Sequence, residues 1–241
     1  NMEPLMYWLR NDPPDRQGMT EIRFVEGMYM IWDELLKRHP GLWIDNCASG
    51  GRMIDLETSM RAITLTQSDG PVIRYSDLMN QSQNHGLNLY LPMHSPVSFG
   101  LEPSYQFRSS MTAGGGNGTG TETLPEAEVR GTAATYQQVR PYFEGDYYPL
   151  VEPKIDEMQW FAYQLDRPDE DRGMVVVFRR KACPENFVIL QLQAIDPQAR
   201  YELTEKDSGQ TRSVSGSELC ALRVDIKESP GSRILFYKKL P

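Results

Sequence analysis

A chain of 241 residues, 39% hydrophobic and 24% charged, can hold one large domain or two smaller ones and has an ordinary globular composition. Its formal net charge of -8 argues against a nucleic-acid partner, because neutralising phosphates takes clustered Lys and Arg. No apolar run approaches the ~20 residues that span a bilayer, so no membrane partner is expected, and no signal-peptide pattern is visible.

Cys47, Cys183 and Cys220 are far apart, and no zinc-binding spacing can be written from them. Neither a metal nor a cofactor is expected. A Cys183–Cys220 disulfide competes with two free, buried thiols, and the free pair is preferred. The opening Asn1-Met-Glu-Pro-Leu-Met-Tyr-Trp8 is abrupt, with Tyr7 and Trp8 already needing burial. It reads as a piece of a longer chain.

Asn11-Asp-Pro-Pro-Asp-Arg-Gln-Gly18 is a loop on turn chemistry. Thr20 is expected to cap a helix, with Glu21 suiting its positive end. Ile22, Val25, Met28, Tyr29, Trp32 and Leu35/Leu36 keep helical spacing and predict one buried stripe. The helix should stop by His39, before Pro40. Residues 42–46 then read as a short strand, and Gly50-Gly51 as a turn where backbone can approach a ligand closely. A helix over 53–61 and a second strand over 63–67 come next. Ser68-Asp-Gly-Pro71 ends that strand.

A helix is expected over 76–83, a strand over 87–91, an irregular stretch over 93–100 and another strand over 105–111. Residues 112–123 are Gly/Thr/Asn-rich and read as loop. Asn117-Gly-Thr119 matches a glycosylation acceptor, a pattern too common to decide anything. A helix over 126–142 leads to a linker over 145–153. Thereafter the pattern changes to six short β-type runs, 160–165, 174–179, 187–194, 199–203, 219–226 and 233–238, separated by turn residues. Strand and helix alternate first and strands come alone afterwards, which predicts two domains, 1–150 and 151–241.

The stretch from Trp43 to Asp69 carries the candidate chemistry. Polar residues at the ends of successive strands are how α/β barrels build active sites. Asp69, on the turn after the second strand, is the candidate catalytic carboxylate; the competing reading is a plain turn acid. Asp45 reads as holding the turn. Cys47 could be a nucleophile only with a paired histidine, and neither His39 nor His85, in an Asn-His-Gly turn, suits that role. His94 lies in a plausible loop. A small Cys lining a ligand site is the better reading.

Asp45-Asn-Cys-Ala-Ser-Gly-Gly-Arg-Met-Ile-Asp55, running on to Gln67-Ser-Asp69, resembles the α-galactosidases of glycoside hydrolase family 36. Three later stretches, Asp196–Tyr201, Ser215–Leu219 and Pro230–Tyr237, are similar to that family's C-terminal β domain. The resemblance implies an α/β plus all-β fold: the C-terminal half of a (β/α)8 TIM barrel followed by an antiparallel β-sandwich domain. It implies a retaining α-glycosidase, with Asp69 as acid/base, Cys47, Gly50, Gly51 and Arg52 binding the sugar, and an α-galactoside as partner. The family's nucleophilic Asp would stand just before Asn1, so the piece alone is expected to be inactive and to expose an open barrel edge. Met53-Ile54 and Thr66 depart from the family pattern beside Arg52 and near the acid/base, which leaves the exact sugar open. An α-N-acetylgalactosaminidase-type specificity, a non-catalytic carbohydrate-binding or scaffolding module, and an oligomer all remain alternatives.

Overall fold

The computed structural model describes residues 4–47, 50–70, 76–91, 93–96, 104–115, 124–152 and 154–241. The abrupt Asn1, Pro71 after Asp69, the end of the irregular 93–100 stretch and the Asn117-Gly-Thr119 pattern lie outside the described residues. The chain divides into two compact units, Asn1–Asp69 and Gly70–Pro241.

The first unit opens with helices α1 (Leu5–Asn11) and α2 (Met19–Arg38). Their connection is tied by one carboxylate. Asp12 accepts from the Gly18 N–H at 2.6 Å, the Thr20 N–H at 2.8 Å and the Thr20 hydroxyl at 2.6 Å. Thr20 is therefore not the helix cap expected of it. The cap position is Gly18, at φ +97°, a conformation that L side chains resist. The helix stops at His39 as expected. Its apolar stripe is only half-buried at Val25, Met28, Tyr29, Trp32 and Leu36, and Ile22 and Leu35 are exposed. Tyr7 is also exposed, while Trp8 packs on Phe24 with ring centroids 5.6 Å apart. The unit ends with β1 (Asp45–Asn46), α3 (Leu56–Ser59) and β2 (Thr64–Thr66).

The second unit begins with α4 (Asp77–Asn88), whose cap Ser76 accepts from the Met79 N–H at 3.3 Å. This helix runs on into the segment expected as a strand over 87–91, ending at Asn88. It buries a polar face, Asn80, Gln81, Asn84 and His85, and so carries no apolar period for a sequence reading to find. The strand lies later, at β3 (His94–Ser95). Residues expected as strand over 105–111 form helix α5 (Tyr105–Ser109); short apolar runs do not distinguish the two by spacing. Helix α6 (Glu126–Val139) passes into a 3₁₀ turn, Arg140–Glu144.

The expected linker over 145–153 instead supplies β4 (Asp146–Pro149), paired with β5 (Trp160–Arg167). The remaining strands are β6 (Arg172–Arg179), β7 (Phe187–Leu190), β8 (Arg200–Glu205), β9 (Thr211–Ser215), β10 (Leu222–Asp225) and β11 (Gly231–Lys239). All six expected β runs are present. Strand β9, not anticipated, and a one-turn helix, α7 (Gly216–Leu219), come after β8. Six strands form one antiparallel sheet in the order β4-β5-β6-β11-β8-β9, and β7 pairs with β10 separately.

The large sheet is covered on both faces. Val175 and Val177 of β6 join Leu190, Leu222, Val224 and Ile226 in one apolar cluster. Met174, Val176 and Phe178 join Tyr105, Phe107, Val139 and Phe143 in the other. Burial on two faces explains why Gly173-Met-Val-Val-Val-Phe178 is a continuous apolar run and not an alternating one. Two buried cations find partners within this unit, although the Arg108 Nε has none among the described residues. Arg108 donates to Asp207 at 2.5 Å and to the Ser232 carbonyl at 3.2 Å. Arg180 donates to Gln81 at 2.8 Å and to the Lys154 and Asp156 carbonyls at 2.6 and 3.0 Å.

All three cysteines are free: Cys183 is buried, Cys220 half-buried and Cys47 exposed. Among the described residues no helix is long and apolar enough to cross a membrane. Phe178 stacks on Phe161 at 5.6 Å and meets Tyr105 edge-on at 5.5 Å. Phe178→Ala should cost about 3–5 kcal/mol, read as a lower urea midpoint at an unchanged denaturant slope.

Candidate active site

Every residue singled out from the sequence as a site residue lies in the first unit. β1 and β2 run parallel, with Asp45 opposite Thr64 and Asn46 opposite Leu65. The Ile63 N–H adds a hydrogen bond to the Ile44 carbonyl at 3.2 Å. In a parallel pair both carboxyl ends leave the sheet at the same edge. Cys47 comes after β1 there, and Gln67-Ser-Asp69 after β2.

The Gly50-Gly51 turn closes the space between them. Gly50 is buried at φ +75°. A Cβ added to it would lie 2.5 Å from the Asp69 nitrogen and 2.7 Å from the Ser68 Cα. At Gly51 an added Cβ would lie 2.4 Å from the Gln67 carbonyl oxygen. Two consecutive glycines therefore place main chain directly against the backbone of the strand end that carries Asp69. The close approach seen at this turn is to the chain's own backbone, where the one expected from the sequence is to a ligand.

The segment from Met53 to Thr58 keeps the turn closed. The Ile54 N–H reaches back to the Gly51 carbonyl at 3.2 Å. Asp55 caps α3 by accepting from the Thr58 N–H at 2.8 Å, while the Asp55 N–H donates to the Thr58 hydroxyl at 3.1 Å. Asn46 and Thr58, both buried, donate to the Met53 carbonyl at 3.0 and 2.5 Å. Neither stands out in the sequence, although Asp55-x-x-Thr58 is a readable capping pattern. Behind α3, Arg61 pairs with Asp33 of α2 at 2.7 Å and with Glu57 at 2.7 Å. Its guanidinium also covers the Tyr29 ring at 4.6 Å. The hydrogen bonds to Asp33 and Glu57 hold the arginine's pKa above its usual value.

The structure brings Gly50, Gly51 and Asp69 together. Cys47 and Arg52 are exposed on the same loop, and Asp69 is half-buried. Asp45 is exposed on β1, and the turn is held instead through Asn46, Thr58 and Ile54. Asp12 and Asp55 accept hydrogen bonds from backbone N–H groups, as turn acids do. The Asp69 carboxylate accepts none and forms no ion pair among the described residues.

The histidines take structural places. His39 is exposed just after α2. His85 sits within α4, not in a turn, 3.3 Å from the Tyr147 hydroxyl, with its pKa lowered first by burial. His94 is wholly buried on β3, 2.7 Å from the Asn88 side-chain oxygen, and burial pushes it down to about 4. Among the described residues no cluster of three His, Cys, Asp or Glu side chains could hold a metal ion.

No family model matches the chain. Individual relatives do. It is 25% identical to α-galactosidase 1 of Pediococcus pentosaceus over 203 residues, which cover 79% of this chain and 27% of the relative. It is 25% identical to the probable α-galactosidase C of Aspergillus terreus over 242 residues, covering 92% and 30%. Among solved structures, the family 36 α-galactosidase AgaA of Geobacillus stearothermophilus superposes with a TM-score of 0.76 at 23% identity, covering 95% of this chain and 33% of that one. The chain resembles the family 36 α-galactosidases in sequence and in fold. It spans less than a third of the length of these curated relatives. Forms of AgaA have been solved in complex with raffinose and with stachyose.

Two outcomes test this geometry. Gly51→Ala should destabilise the protein by about 1–3 kcal/mol in chemical denaturation, because main chain must shift to admit the methyl group. Gly27→Ala, where an added Cβ meets nothing within 4 Å on α2, should be neutral or stabilising. For His94, the folded pKa of about 4 lies below the unfolded value near 6.5, so the unfolded chain binds more protons between them. The stability contributed by neutral His94 should be complete above pH ~6.5 and fall away as pH drops toward ~4. His94→Gln should flatten that slope in denaturation midpoints measured across the window.

Proposed function

We propose that this chain is part of a retaining α-glycosidase, most specifically an α-galactosidase, in which Asp69 is the acid/base. On this reading 1–150 is the C-terminal part of a (β/α)8 barrel and 151–241 an antiparallel β-sandwich domain. The observation that carries the proposal is the shared edge of β1 and β2, where the glycine turn packs on the backbone of Ser68-Asp69. That edge is where barrel enzymes gather catalytic residues from successive strands.

A retaining mechanism needs two carboxyl groups about 5–5.5 Å apart. One attacks the anomeric carbon while the other gives its proton to the departing glycosidic oxygen. In the second step the deprotonated acid takes a proton from water as that water attacks the same carbon and releases the first carboxylate. Asp69 takes the proton-transfer role in both steps. Cys47, Gly50, Gly51 and Arg52 line the sugar: the glycines by letting main chain close up, Cys47 as a small neutral wall and Arg52 as a hydrogen-bond donor. The nucleophile belongs to a part of the parent outside this sequence, so the 241-residue chain alone should not turn over substrate. The raffinose and stachyose complexes of AgaA support an α-galactoside as the substrate class here.

The test uses the full-length parent. Asp69→Gly should lower turnover of alkyl α-galactosides by about 10²–10⁴-fold. Added azide should restore activity on an aryl α-galactoside and yield the α-galactosyl azide, since a missing acid/base leaves the nucleophile working. An unchanged rate, or the β-azide, rules out this role for Asp69. A preference for aryl α-N-acetylgalactosaminides would change the sugar and keep the mechanism. An inert parent, together with saturable sugar binding by the 241-residue chain, would favour the binding-module alternative.

A further inference from the structure

The Met53 carbonyl stands out within the site because two buried donors from different elements converge on it. Asn46, at the end of β1, donates from Nδ2 at 3.0 Å, and Thr58 of α3 donates from Oγ1 at 2.5 Å. A carbonyl oxygen has two lone pairs, and here both are used. The Thr58 hydroxyl has one proton and two carbonyls near it, Met53 at 2.5 Å and Asp55 at 3.1 Å. The shorter contact takes the proton, which leaves the oxygen free to accept from the Asp55 N–H at 3.1 Å. For Asn46, an acceptor facing the side-chain amide fixes which of its two atoms is nitrogen.

The pinned carbonyl sits at the far end of the glycine turn. From Met53 the chain is tied back through Ile54 N–H to the Gly51 carbonyl at 3.2 Å, and Gly50 and Gly51 lie against Gln67, Ser68 and Asp69. At these contacts main chain meets main chain, with no side chain to take up slack. The turn's position is therefore set by what holds its far side.

We propose that Asn46 and Thr58 are positioning residues for the Asp69 carboxylate, acting through the Met53 carbonyl and the Gly50-Gly51 backbone. The proposal rests on the reading of Asp69 as acid/base. Neither side chain touches the reacting atoms; they set where proton transfer takes place.

The test compares kcat/KM of the full-length parent on two substrates. A dinitrophenyl α-galactoside leaves with little help from an acid, whereas methyl α-galactoside needs its leaving oxygen protonated. Thr58→Val and Asn46→Ala should each lower kcat/KM on the methyl glycoside by about 10- to 100-fold. On the dinitrophenyl glycoside the loss should stay below about threefold, because little acid catalysis is there to lose. Thr58→Ser, which keeps the hydroxyl, should retain the parent's ratio. Equal losses on both substrates, or no loss on either, overturn the proposal. Should Thr58→Val fail to fold in a thermal melt, Asn46→Ala and Thr58→Ser decide it alone. Asp69→Asn separates the two levels. If it leaves the substrate ratio unchanged, the acid/base reading fails and this inference with it. If it shifts the ratio while the positioning variants do not, only this inference fails.

Discussion

The contact on which the candidate site depends contains no side chain at all. Gly50 and Gly51 press main chain onto main chain at Gln67, Ser68 and Asp69, and a Cβ at either position would overlap backbone atoms at 2.4–2.5 Å. Such an approach is stiff, because neither partner has a rotamer with which to yield. Parallel pairing of β1 and β2 brings the two strand ends to one edge. The glycines then fix the distance between loop and strand. Around them, the Asp55–Thr58 capping box, the Met53 carbonyl and the Arg61 ion pairs hold the loop from behind. The arginine pairs are partly exposed, so their worth lies in aligning α2 with α3 more than in stability.

The second unit obeys a different constraint, two-sided burial of one antiparallel sheet. A sheet covered on both faces must keep its buried charges satisfied, since an unpaired buried cation costs several kcal/mol. Arg180, almost fully buried, meets Gln81 of α4 and two main-chain carbonyls, and its guanidinium lies 5.4 Å from the Phe161 ring. Arg108 spans from α5 to Asp207 and Ser232. Both tie the helical layer to the sheet through directional bonds. Apolar packing alone would let these layers slide; the arginines fix their register.

Legibility in the sequence tracks apolar patterning. The β runs after Asp156 are readable because β-branched and aromatic residues cluster between turn residues, and all six are there. Strand β9, Thr-Arg-Ser-Val-Ser, is hard to read because only Val214 is buried. Helix α4 reads short because its buried face is made of amides and a histidine, and Gln81, Asn84 and His85 meet their neighbours through polar atoms that no hydropathy pattern reveals. At the site, Cys47, the glycines and Asp69 are visible by type and spacing. Asn46 and Thr58 are not, since their importance lies in sharing one acceptor across a fold.

The two readings of Asp69, turn acid and catalytic acid, make different demands on its surroundings. A turn acid is held by backbone N–H groups, and this chain shows the pattern twice. Asp12 collects the Gly18 and Thr20 donors, and Asp55 collects the Thr58 N–H. Such donors favour the charged form of the carboxylate they bond. An acid/base must instead exchange a proton in each half of a catalytic cycle, which a carboxylate saturated with fixed donors does poorly. Asp69 is held by its main chain, wedged behind Gly50, and its side chain is left half-exposed without such donors among the described residues. Rigid backbone with a carboxylate that has no such donors among the described residues is what the proposed role of Asp69 asks for. On the proposed reading, that division of labour makes the glycine turn and the pinned Met53 carbonyl matter to Asp69 more than any direct side-chain partner would.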